Sequence, residues 1–160
     1  MTELEIKVEA LMRCVDPEKL RAALAEVTPA DKAAVKRLPS MEEAMYREIR
    51  AALLEIGVPN HLKGYRYVVS GVGLVVQNED LLDMITDGLY PAIAKMHDTT
   101  KSKVERAVRH AIEVAWDRGD RDVLYKLFGN TVSNMKGKPT NGEFFARMRY
   151  EILDRMGGGK

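Results

Sequence analysis

The sequence predicts an all-α fold: a multi-helix bundle containing a helix-turn-helix, with a short N-terminal helical extension. Three observations carry this. Helix-start devices recur along the chain, as in Asp16-Pro17, Thr28-Pro29, Tyr90-Pro91 and Thr140 with Glu143. Apolar residues return at three- and four-residue spacing, the period of a helix with one buried face. Only Tyr65–Gln77 has strand character, and a lone strand finds no partner in an otherwise helical chain.

Residues 1–39 read as three short amphipathic helices rich in Ala, Leu, Lys and Glu, a docking or dimerising extension, with a seam at Leu38-Pro39-Ser40. Ser40 and Glu43 form a capping box ahead of a helix over Met41–Ile56, which Gly57 and Pro59 close. Tyr65–Gln77 is assigned to helix because Val68, Val72, Val75 and Val76 share one face, although Gly71 and Gly73 weaken it. Leu89–Met96 is a short helix that stops at His97-Asp98-Thr99-Thr100, residues suited to a turn and an N-cap. A longer helix follows over 101–117. Thr140 and Glu143 then start the last helix, Phe144–Met156, within a domain spanning 40–156, and 157–160 is a disordered tail.

Hydrophobic residues make up 46% of the 160 and charged residues 31%, a balance that supports a packed core rather than long disorder. The single cysteine, Cys14, excludes an intrachain disulfide and a four-thiolate zinc site. No apolar run approaches the ~20 residues of a membrane span, and the acidic opening is unlike a signal peptide. A cytoplasmic, nucleoid-associated protein is expected, with no membrane partner. The net charge of +1 hides a polarity: residues 1–94 carry 11 Lys/Arg against 15 Asp/Glu, whereas 95–138 carry 10 against 6. Screening confines each surface charge to about 8 Å, so the basic segment can meet a polyanion in a neutral chain.

That segment holds the chemistry. At 100° per residue, Val104, Ala107, Val108, Ala111, Val114 and Ala115 share one arc of the long helix, and Lys103, Glu105, Arg106, Arg109, His110 and Glu113 the other. A short helix, a turn and a longer helix with a basic outer face outline a helix-turn-helix, whose second helix fits the major groove of double-stranded DNA. Arg106 can offer two donors to guanine, Lys103 a point charge to the same atoms, and Glu105 can accept from a cytosine amino group. Thr100, Ser102, Arg109 and His110 suit phosphates. A solvated helix stitched by Glu105–Arg109 and Arg109–Glu113 pairs explains the same pattern, and the pattern alone does not separate the two. Trp116 falls within the polar arc, which places it against another helix.

No metal, cofactor or catalytic set is expected. His61, His97 and His110 are dispersed without carboxylates or thiolates at ligand spacing. Gly137-Lys138-Pro139-Thr140 lacks the upstream glycine of a phosphate loop, and Gly71-Val72-Gly73 lacks the third glycine of a dinucleotide site. An enzyme is the least expected class.

Leu54-Glu55-Ile56-Gly57-Val58-Pro59, His61-Leu62-Lys63-Gly64-Tyr65, Leu89-Tyr90-Pro91-Ala92-Ile93-Ala94-Lys95 and Val104–Trp116 occur in colinear order. With Leu127-Phe128-Gly129 and Lys138-Pro139-Thr140-Asn141, this stretch of about residues 45–156 resembles the DNA-binding effector domain of the stage-zero sporulation master regulators of Firmicutes. The resemblance implies about six helices that bind a TGTCGAA-like box, often in tandem. It implies base contacts from Lys103, Glu105 and Arg106, and backbone contacts from Arg109 and His110. Lys136 and Lys138, in the loop before the last helix, are further candidate phosphate contacts. The last helix mediates head-to-tail association in the family, which places Phe144, Phe145, Met148 and Ile152 at a homodimer interface. Two departures stand out: the family usually has arginine where this chain has Lys103, and residues 1–39 are too short for the family's receiver domain.

The leading expectation is therefore a sequence-specific DNA-binding transcription regulator, with RNA polymerase or a full-length homologous regulator as further candidate partners. The alternative is an interaction module that sequesters a full-length regulator without reading DNA.

Overall fold

The structure, a computed structural model, describes residues 25–26, 28–30, 39–129 and 137–157 and divides into two units, Met1–Ser40 and Met41–Lys160. In the first unit residues 25 and 29–30 are helical. The rest of the three helices expected there, and Cys14, lie outside the described residues.

The second unit contains α1 (Met41–Glu55), α2 (Lys63–Gln77), a 3-10 turn (Glu79–Leu82), a π turn (Ile85–Leu89), α3 (Tyr90–Met96), α4 (Lys101–Arg118), α5 (Arg121–Phe128) and α6 (Asn141–Met156). No strand occurs among the described residues. The valine-rich segment is helical: Val68, Val72 and Val75 of α2 are fully buried, and α2 lies between α1, α4 and α6. Its glycines permit that central place. A Cβ at Gly71 would stand 2.5 Å from the Phe145 ring, so glycine here admits an aromatic side chain of α6.

Three elements add to those expected from the sequence. The Glu79–Leu82 and Ile85–Leu89 turns carry the chain from α2 to α3, so α3 begins at Tyr90 with Pro91 in its first turn. Helix α5 is capped by Asp120, whose carboxylate accepts from the N–H groups of Asp122 (2.8 Å) and Val123 (3.4 Å). It buries Leu124, Leu127 and Phe128.

Helix α6 starts with the expected capping box. The Thr140 hydroxyl accepts from Glu143 N–H (3.2 Å), and the Glu143 carboxylate accepts from Thr140 N–H (2.8 Å). The expected role of its apolar face is corrected, however. Phe144, Phe145 and Ile152 are fully buried and Met148 is 1% exposed, all inside the protomer's own core rather than on a dimer interface. Phe144 stacks on Phe128 (centroids 5.5 Å apart, planes 9° apart), and Trp116 of α4 meets Phe128 edge-on at 4.9 Å. Polar ties hold the rest of α6. Arg155 donates through both terminal nitrogens to the Glu55 carboxylate of α1 (3.1 and 2.7 Å), which holds that carboxyl below its ordinary range. Arg149 donates to the Val75 carbonyl near the end of α2 (2.8 Å).

Candidate nucleic-acid interface

Helix α3 ends at Met96 with His97 as its C-cap, and a tight turn leads into α4. Asp98 takes a left-handed conformation there (φ 50°), which a short polar side chain tolerates. Thr99 N–H bonds back to the Ala94 carbonyl (2.9 Å), and the Thr100 hydroxyl accepts from Lys103 N–H (3.4 Å) as the N-cap of α4.

The inner face of α4 is sealed. Val104, Val108 and Ala115 are fully buried, as is Ala111, and Ile112 joins them at 2% exposed. Val114, expected on that face, is half-buried, and Trp116 packs on α5 and α6. Helix α2 presses on α4 so closely that a Cβ at Gly64 would meet the Ala107 carbonyl oxygen at 2.1 Å.

The outer face is bare. Ser102, Lys103, Arg106, Arg109 and His110 are exposed, together with Thr100 in the turn, and Glu105 is half-buried at the margin. Glu105 and Arg109 form the i,i+4 pair that the spacing implied (2.8 Å). The second such pair does not form: Glu113 instead binds Lys138, at 3.3 Å, from the segment before α6. An exposed Arg109–Glu105 pair contributes at most about 1 kcal/mol, so Arg109 can exchange that partner for a phosphate at little cost. Arg106 and Lys103 have no ion-pair partner among the described residues. Lys136 lies outside the described residues.

One buried residue that the sequence did not single out braces this frame. Asn141, at the start of α6, is 8% exposed and donates to the Tyr90 hydroxyl of α3 (2.9 Å) and the Glu105 carbonyl of α4 (3.2 Å). It thereby fixes the last helix to both arms around the turn, and burial raises the Tyr90 hydroxyl above its ordinary pKa. Asparagine at a helix start reads as surface capping chemistry, so the sequence carries no sign of this inward role.

The three histidines stay apart, and among the described residues no three His, Cys, Asp or Glu side chains gather as a metal site requires. No helix among the described residues is long and apolar enough to cross a membrane. His97 has a structural partner: its Nε2 and the Ser70 hydroxyl of α2 share a hydrogen bond of 2.8 Å, and its ring meets Tyr67 edge-on at 5.0 Å. Burial, then the nearby Arg66 charge, lowers its pKa, so the fold favours neutral imidazole. The unfolded chain binds that proton first, near the ordinary value of about 6.5. Stability from this group is therefore complete above that pH and declines as pH falls through the lower folded-state value. The melting midpoint is expected to fall between about pH 7.5 and about pH 5.5, and to fall less in His97→Gln. Equal slopes for the two proteins would remove His97 from the effect.

The family described as sporulation initiation factor Spo0A C terminal matches residues 49–152. Because that match runs from within α1 to within α6, through every element that frames the exposed face of α4, the chain belongs to this family of sporulation-initiation DNA-binding regulator domains.

Proposed function

We propose that this protein is a sequence-specific transcription regulator that inserts α4 into the major groove of a TGTCGAA-like box, as the second helix of a helix-turn-helix. The carrying observation is the exposure of Lys103, Arg106, Arg109 and His110 on one side of a helix whose other side is anchored in the core. Lys103 and Arg106 lie in the opening turns, the part of such a helix that approaches base edges, and Arg106 has the bidentate geometry that guanine O6 and N7 accept. Glu105 accepts from a cytosine amino group once Arg109 turns to the backbone. Thr100, Ser102, Arg109, His110, Lys136 and Lys138 bind phosphates in this reading.

The test is a gel shift with the box duplex beside a shuffled one, at two salt concentrations. Affinity falls with salt because neutralised phosphates release counterions. Arg106→Ala costs about 1–3 kcal/mol on the box and relaxes discrimination at one position. A variant that binds both duplexes as the parent does would take Arg106 out of base readout.

Association of two copies head to tail on tandem boxes belongs to the same reading, and a two-box duplex reports it in the same assay. With the expected interface residues inside the core, exposed α6 side chains such as Tyr150 and Leu153 are left for that contact. The reading makes the protein cytoplasmic and nucleoid-associated, with RNA polymerase or a full-length homologous regulator as further partners.

A further inference from the structure

Beside the turn before α4 lies an open cleft of about 590 Å³ whose charge the proposed reading face does not use up. Lys63 and Arg66, from the first turn of α2, line one side, Lys103 and Arg106 of α4 the other, and Asp98 and Thr99 lie between them. All four cations are exposed, and none has an ion-pair partner among the described residues. Four positive side chains from two helices thus line the cleft with a single carboxylate, so its field favours an anion. The start of α2 adds to the field, because Leu62 supplies no side-chain cap to offset the positive end of the helix.

The position of the cleft says which anion. At 100° per residue, Lys103 lies about 60° to one side of Arg106 on the outer face of α4, and Arg109 and Glu113 lie about 60° and 20° to the other side. Lys138, bound to Glu113, belongs to that second side. A helix about 10–12 Å wide fills a major groove about 12 Å wide, so a sugar-phosphate strand passes along each margin. The Lys138 margin already has a candidate for one strand. On the opposite margin, the cleft opens beside the same Lys103 and Arg106 that would enter the groove.

We infer that Lys63 and Arg66 hold the phosphates of the strand on the α2 side of the groove, opposite Lys138, so that the duplex is gripped from both flanks of α4. This rests on the DNA-binding reading and extends it to a helix outside the helix-turn-helix. A contact to phosphate carries no base information, so their contribution in this role is independent of sequence.

The experiment measures affinity of the full chain for the box duplex and the shuffled duplex across a salt series, for the parent, a Lys63→Ala/Arg66→Ala double variant and an Arg121→Ala control. Arg121 follows the far end of α4, about 27 Å along the helix from Lys101, so it tests removal of a distant charge. The double variant is expected to weaken both duplexes by the same factor and to flatten the log–log salt slope by about 1 per residue removed. The control keeps the parent slope. A double variant with the parent's affinity and slope overturns the inference while leaving the DNA-binding reading intact. So does a control that flattens the slope as much per charge, since the effect would then be one of net charge. A parent that binds neither duplex overturns both.

Discussion

Replacing Phe144 with alanine is expected to cost about 3–5 kcal/mol of folding stability, the range for removing a large aromatic from a core. Phe144 is fully buried. It stacks on Phe128 and meets both Trp116 and Phe145 edge-on at 6.4 and 6.2 Å, so its loss empties the junction of α4, α5 and α6. Denaturant unfolding at several protein concentrations gives the check. Burial within one protomer predicts a large loss that does not depend on concentration. A residue whose packing came only from a second copy would give a concentration-dependent loss and leave the isolated protomer unaffected. An unchanged denaturation midpoint would show that the aromatic cluster is not structural.

Gly64→Ala is expected to damage both folding and DNA binding, although the residue reaches no nucleic acid. The added methyl would lie 2.1 Å from the Ala107 carbonyl oxygen and 2.8 Å from the Ala111 Cβ, and the first of these is backbone that cannot swing away. Helix propensity alone would favour alanine by about 1 kcal/mol. Overpacking of this kind typically costs about 1–3 kcal/mol, and here α2 and α4 must separate to relieve it. The net expectation is a lower melting midpoint and weaker binding to the box duplex, because α4 shifts relative to the turn that aims it. A raised midpoint with parent-like binding would mean that the two helices are not in the close contact described.

The helical class was legible because it rests on local chemistry. Thr100 and Thr140 cap where they should, since each needs only its own third neighbour. The outer face of α4 was legible for a similar reason: 3.6-residue periodicity separates Val104, Val108 and Ala111 from Lys103, Arg106 and Arg109 without reference to the rest of the chain. What the sequence did not disclose depends on distant partners. Periodicity marks Phe144, Phe145, Met148 and Ile152 as one apolar stripe, but a stripe is the same whether its cover is another helix of the chain or a second copy. Only the packing of α1, α2, α4 and α5 against α6 decides. Glu113 likewise had two possible partners, and the long-range one, Lys138, prevails over Arg109. The inward turn of Asn141 needs a hydroxyl 51 positions away. Helix α5 is a plainer omission, since Asp120 offered the same start signal as the elements that were recognised.

The division of labour on α4 has a consequence for substitution. Its inner side chains anchor the bundle, while Lys103, Arg106, Arg109 and His110 contribute almost nothing to that anchoring. Exposed substitutions of this kind usually move stability by no more than about 0.5 kcal/mol. Residues of this exposed face can therefore be exchanged one at a time without a compensating repair in the core, so the surface offered to a partner can change while the bundle stays intact.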